Sequence, residues 1–132
     1  CYESVFGNFV TRFLDKDANL IAIITNDAWW GNTPGYKQHF SYARLRAIEN
    51  RKYVVRSANT GISGIIDPAG NILNKTQYWE EAVINSTVYL NSHKTFFGRF
   101  GNYLGRTSYY LSVYVLLVGI MRSKILKSNY FL

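Results

Sequence analysis

Apolar positions recur along this chain with changing periods, and each period predicts an element. Phe6, Phe9, Val10, Phe13 and Leu14 follow the three-and-four spacing of one helical face, which predicts a helix over 4–16. The polar stretch Asp15-Lys16-Asp17, with Asn19, turns the chain. Residues 20–25 form a short, almost wholly apolar run rich in β-branched side chains. This predicts a strand buried on both faces, as in a sheet covered by helices. A second helix is predicted over 36–51, with Phe40, Ala43, Ala47 and Ile48 inward. Arg44, Arg46, Glu49, Arg51 and Lys52 then fall mostly on its solvated side. Strands follow at 53–57 and 62–66. Asp67-Pro68-Ala69-Gly70 has the composition of a tight turn, with 71–75 completing a hairpin. Residues 81–89 alternate loosely and predict one more strand. Helix, turn and buried strand together imply a layered α/β fold.

The pattern changes in the C-terminal third. Residues 107–121 carry no charge. Fifteen helical residues span ~22 Å, short of a ~30 Å hydrocarbon core, and adding 103–106 with Arg106 snorkelling brings the span to roughly 28 Å. Tyrosines at one end and Arg122-Ser123-Lys124 at the other fit an aromatic belt and a basic cytoplasmic cap. A buried helix of a soluble protein is the alternative. Ahead of this run, Phe96, Phe97, Phe100 and Tyr103 alternate with Gly98, Gly101 and Gly105, a loop-like composition suited to a membrane interface.

Charge sharpens this picture. The net charge is +7 over 132 residues, but acids and bases nearly balance through Glu81. After Glu81 there is no acid, while Lys94, Arg99, Arg106, Arg122, Lys124 and Lys127 supply the excess. Positive charge flanking an apolar run fits a membrane surface rather than a nucleic-acid groove, so no nucleic acid is expected as a partner. The expected organisation is an α/β domain over 1–95, an interfacial linker over 96–106, a transmembrane helix over 107–121 and a basic cytoplasmic tail over 122–132.

Cys1 is the only cysteine and heads the first predicted helix. A helix N-terminus favours thiolate by about 1 kcal/mol, up to ~2 when partly buried. At ~1.4 kcal/mol per pKa unit, that brings a thiol from ~8.5 to about 7.5. A general base or a nearby cation must supply the rest of the activation. A buried small residue and a lipidated first residue are the competing readings of Cys1. The loop 26–35 lies at the C-terminal end of a strand, where open α/β sheets bind ligands. Its adjacent Trp29 and Trp30 cannot both enter one core layer, so at least one faces a pocket or the surface. Asp27 beside Asn26 reads as a turn residue. His39 reads as structural and His93 as a surface residue, and nothing has metal-ligand spacing. With no initiator Met, the chain is expected to be the C-terminal piece of a longer protein.

Cys1-Tyr2-Glu3 at a helix start, a buried strand leading into Ile24-Thr25-Asn26-Asp27-Ala28-Trp29-Trp30-Gly31, and Gln38-His39 carry a recognisable pattern. So do Ala43-Arg44-Leu45-Arg46-Ala47-Ile48-Glu49, Arg56-Ser57-Ala58-Asn59-Thr60-Gly61-Ile62-Ser63 and Ile66-Asp67-Pro68-Ala69-Gly70. Together they resemble the nitrilase-type domain of the apolipoprotein N-acyltransferase family, over nearly the whole chain. The resemblance implies the C-terminal part of an α-β-β-α sandwich followed by one transmembrane helix. It implies an enzyme of the bacterial inner membrane, with its catalytic domain on the periplasmic side, that needs no cofactor or metal. It would take an acyl chain from a phospholipid donor and pass it to an apolipoprotein acceptor. Cys1 would be the nucleophile, the Tyr2 backbone N–H an oxyanion donor and Glu3 a supporting residue. Trp29 and Trp30 would line the acyl-binding cleft. The family's Glu base and Lys belong upstream of the cysteine and have no match here, so this chain alone is expected to be inactive.

Three rivals remain at this level. An amidase of the nitrilase superfamily would use the same Cys1 but has no need of a terminal span. A catalytically dead, membrane-anchored module would lack the base and lysine altogether. A mature lipoprotein would carry its lipid on Cys1. Only part of the sandwich is present, which leaves strand edges and an apolar face unpaired and predicts aggregation of the isolated chain.

Overall fold

The structure is a computed structural model that describes residues 2–14 and 16–129, with side chains through Lys124. Cys1 lies outside the described residues. The chain forms two compact units, 1–101 and 102–132.

The first unit is a mixed α/β layer. Four strands lie side by side in chain order: β1 (Ile21–Thr25), β2 (Val54–Ala58), β3 (Gly64–Ile66) and β4 (Ile72–Lys75). β1 and β2 are parallel, with Ile21 opposite Val54 and Thr25 opposite Ala58. Their connection is the helix α2 (Pro34–Asn50), as a parallel pair requires. β2, β3 and β4 are antiparallel neighbours, with an irregularity between Ile65 and Ile66. At the tight turn, Asp67 Oδ1 accepts from the backbone N–H groups of Ala69 and Asn71, both at 2.8 Å. Gly70 takes φ +87° there, where a side chain would be strained.

α2 starts at Thr33, whose hydroxyl accepts from the Gly35 N–H, with Pro34 in the first turn. Its inner face carries Phe40, Ala43 and Ala47 onto Ile21, Ile23, Val54 and Ile66. The short helix α1 (Gly7–Leu14) adds Val10 and Leu14 to this core.

Four details differ from the pattern-based expectation. The first helix is broken. A 3₁₀ turn over Tyr2–Val5 comes first, and α1 begins only at Gly7. Gly7 leaves room for the Arg46–Glu49 pair, since a Cβ there would lie 2.9 Å from Arg46 Nη1. The helix field expected to act on Cys1 therefore belongs to a helix that starts several residues downstream. β1 is covered on one face only: Ile21, Ile23 and Thr25 are buried, whereas Ala22 is exposed and Ile24 is 79% exposed. The described helices pack on the buried side, and the alternating positions Ala22 and Ile24 stay exposed. β1 is also an edge strand, and a groove of about 340 Å³ runs along it, walled by Phe9, Phe13, Leu20 and Ile24. Residues 81–90 form no strand ladder, and Val83 is 96% exposed. The end of this segment meets the sheet through a side chain rather than a ladder, with the Tyr89 ring 6.2 Å from that of Tyr53 at the start of β2. The loop-like stretch ahead of the terminal run holds a five-residue helix, α3 (Phe96–Phe100).

The second unit is one helix, α4 (Tyr103–Asn129). Its 22 residues from Tyr103 to Lys124 are long and apolar enough to cross a membrane. At 1.5 Å per residue they reach about 33 Å, enough for a ~30 Å hydrocarbon core. The hydroxyls of Thr107 and Ser112 turn back to the carbonyls of Tyr103 and Tyr109, so they need no outside partner.

Candidate active site

The Tyr2–Val5 turn sits on α2, at the end of the sheet from which β1 enters the tryptophan loop. Beside it lies a buried polar cluster that the residues' types did not announce, with the His39 ring 5.8 Å from that of Tyr2. Asp27 follows β1 and has no exposed surface. Its carboxylate takes Arg56 Nη2 at 2.8 Å on one oxygen and 3.1 Å on the other. His39 Nδ1 lies 2.9 Å from Asp27 Oδ1, and the Thr25 hydroxyl donates to the same oxygen at 3.3 Å. Arg56 also donates to the Ile62 carbonyl and lies over the Phe40 ring at 5.7 Å. Burial alone would raise the Asp27 carboxyl. The hydrogen bonds from His39 and Arg56 and their charge outweigh it, and the pKa lies below the ordinary 3.8.

An ionised carboxylate only accepts, so the proton on the His39 ring is assigned to Nδ1. Nδ1 also lies 3.1 Å from Arg56 Nη2, and Nε2 is buried with no hydrogen-bond partner among the described residues. The Tyr2 ring lies over His39 at 5.8 Å between centroids. It also meets Phe6 edge-on at 6.1 Å and Trp30 at 6.4 Å.

Two turns further along α2, Arg46 Nη1 donates to the Val5 carbonyl at 2.9 Å, while Nη2 pairs with Glu49 at 3.0 Å. Burial lowers the Arg46 pKa against the opposing charge of Glu49, and burial raises that of Glu49 against Arg46.

Gly61 closes the cluster from the β2–β3 connection. A Cβ there would lie 2.0 Å from Asp27 Oδ2, so only glycine fits. Gly35 has the same role for Trp30, whose ring a Cβ would meet at 2.5 Å.

Of the residues singled out from sequence, Tyr2 and Trp30 come together beside His39. Glu3 is exposed and lines the groove along β1 with Ser4 and Phe9. Trp29 is 86% exposed and stands away from the core. Asp27 and His39 had been read as turn and structural residues, and Arg46 as solvated. All three are buried, and with Arg56 they join the elements around Tyr2. One signal was available: positions 36, 39, 40, 43, 46, 47 and 50 share a helical face, and all are buried. Among the described residues no group of three or more His, Cys, Asp or Glu side chains is placed to hold a metal.

A mixed α/β layer thus sets the Tyr2–Val5 turn beside a buried Asp27–Arg56–His39 cluster. Residues 1–95 match the carbon-nitrogen hydrolase family, and the chain belongs to that family. It is similar to the apolipoprotein N-acyltransferase of Geobacter metallireducens, with 40% identity over 102 residues, 77% of this chain and 20% of that protein. The apolipoprotein N-acyltransferase of Rickettsia bellii is 45% identical over 104 residues, again 77% of this chain and 20% of the relative. That of Rickettsia prowazekii is 40% identical over 126 residues, 95% of this chain and 25% of the relative. The chain thus spans a fifth to a quarter of the length of these curated relatives.

Proposed function

We propose that this chain is the C-terminal part of an apolipoprotein N-acyltransferase, working in a bacterial inner membrane with its α/β unit on the periplasmic face. The observation that carries this reading is the similarity over 95% of the chain to the Rickettsia prowazekii relative. A match of that extent takes in both the α/β unit and most of α4. A soluble amidase has no need of the second. The proposed organisation is a catalytic domain over 1–95, an interfacial linker over 96–106, a transmembrane helix over 107–121 and a basic cytoplasmic tail over 122–132.

In this reading Cys1 attacks the ester carbonyl of a phospholipid. The carbon–sulfur bond forms, the ester carbon–oxygen bond breaks, and the lysophospholipid leaves as an alcohol after taking a proton. The α-amino group of the lipidated cysteine of an apolipoprotein then attacks the thioester. A carbon–nitrogen bond forms, the thiolate leaves, and the amine gives up its proton, in ping-pong order. The Tyr2 N–H stabilises the tetrahedral oxyanion. Glu3 supports the nucleophile from the groove side, and Trp29 and Trp30 flank the acyl chain. The base and the lysine that complete the chemistry come from the part of the enzyme that precedes Cys1. No cofactor or metal takes part.

The test is a labelling experiment on the full-length protein in membranes, with a phospholipid carrying a labelled acyl chain. Hydroxylamine-sensitive label on wild type, absent in Cys1→Ser, is the expected result. Unlabelled, folded wild-type protein would sink the acyltransferase reading and leave an amidase acting on small substrates.

A further inference from the structure

We infer that α2 is the clamp that sets the nucleophile turn, with His39 and Arg46 as its two positioning residues. The inference rests on the acyl-transfer reading only in taking the residue ahead of Tyr2 as the nucleophile. His39 and Arg46 are seven positions apart, so they project from the same side of the helix two turns apart. Each holds one end of the Tyr2–Val5 turn. His39 sets its ring against Tyr2, and Arg46 donates to the Val5 carbonyl.

Both holders are themselves held. The His39 ring is fixed in tautomer and orientation by Asp27, which Arg56 anchors in turn. The Arg46 guanidinium is braced by Glu49 and has 4% of its surface exposed. Gly7 lets the backbone approach this pair closely enough for the hydrogen bond to form. The turn is short and its Tyr2 is half exposed, so the grip of α2 bears directly on where the turn sits. A nucleophile carried on such a turn depends on what grips it, and a displacement of about 1 Å can cost 10²-fold in rate.

The experiment uses the full-length enzyme in detergent and the variants Arg46→Lys, His39→Asn and Arg44→Lys. Lysine keeps the charge but cannot reach both Val5 and Glu49 with a planar fork. Asparagine keeps a donor for Asp27 but removes the ring from Tyr2. Arg44→Lys is the control. Arg44 Nε donates to the Gly70 carbonyl at 2.9 Å, a tether from the same helix that is remote from the turn. The rate constant for alkylation of Cys1 by iodoacetamide is followed by mass across a pH series, beside the melting temperature.

Arg46→Lys and His39→Asn are each expected to slow alkylation at neutral pH by roughly 10- to 100-fold and to shift its pH midpoint. Arg44→Lys is expected to change the melting temperature alone. A structural role would lower the fraction of reactive protein without changing the rate constant. Unchanged rate constants in both variants would overturn the inference. Should Arg46→Lys fail to fold, Glu49→Gln loosens the same guanidinium in place, and an unchanged rate constant there would overturn it equally. Slowed alkylation alongside a wild type that takes no label from phospholipid would support the clamp and remove only the acyl-transfer reading.

Discussion

Replacing Arg56 by methionine tests whether the buried cluster holds the site together. Arg56 and Asp27 side chains are both wholly buried, with Nη2 on both carboxylate oxygens. Without the guanidinium, the carboxylate keeps only His39 and the Thr25 hydroxyl, and the Ile62 carbonyl loses a donor. Breaking one side of a buried pair costs about 3–5 kcal/mol, because the remaining charge stays desolvated. At roughly 2–4 °C per kcal/mol for a domain of ordinary size, the melting temperature falls by about 6–20 °C. The assay is thermal unfolding of the full-length protein in detergent. Asp27→Asn/Arg56→Met removes the stranded charge and is expected to recover most of the loss.

The pH dependence has a definite sign. The folded-state pKa of Asp27 lies below 3.8, so the unfolded state binds more protons between the two values. The stabilisation from this carboxylate is complete above 3.8 and is lost as pH falls through the folded value. In Arg56→Met the same carboxyl loses a major stabilising partner and its pKa rises. The gap between wild type and variant therefore narrows on acidification through that raised pKa. A shift below about 2 °C, or a double variant no better than the single one, would refute the reasoning.

Three further outcomes are expected. Gly61→Ala drives a methyl group into the fixed Asp27 side chain and destabilises the full-length protein by roughly 3 kcal/mol, the upper part of the usual range for overpacking, measured by thermal unfolding. Ile24→Lys separates a bare sheet face from one covered in the whole protein. A second sheet over it makes the change cost about 3 kcal/mol or more, whereas a solvated surface leaves stability within about 0.5 kcal/mol. Trp29→Ala, on an exposed ring, is expected to leave the melting temperature unchanged and to raise the KM for phospholipid in the acyl-transfer assay.

Much of the fold follows from local pattern. The β-branched run ending at Thr25, the Thr33-Pro34 start of α2 and the Asp67-Pro68-Ala69-Gly70 turn each form where local chemistry puts them. Such features depend on residues close in sequence, so a single sequence carries them. The break between the Tyr2–Val5 turn and α1 lies where Arg46, 41 positions along the chain, donates to the Val5 carbonyl, a contact that no local pattern carries.

The site divides along the same line. In the sequence, Cys1 and the paired tryptophans stand out by residue type, and the family resemblance adds Tyr2 and Glu3; their roles belong to the proposed function. The sequence also implied a membrane-spanning helix, because an uncharged run of fifteen residues extended by 103–106 needs no partner to be recognised. Only the tertiary structure joined Asp27, His39 and Arg56, which lie up to 29 positions apart and belong to a loop, a helix and a strand. By residue type, each of them belongs on the surface. Burial becomes tolerable only when opposite charges and donors meet, and that meeting is made by the packing of α2 on β1 and β2. The resemblance already implied an unpaired face and edge; that β1 is the edge and which of its side chains lie bare were decided in three dimensions. A strand's composition shows that it can be buried, but only its neighbours determine on which sides.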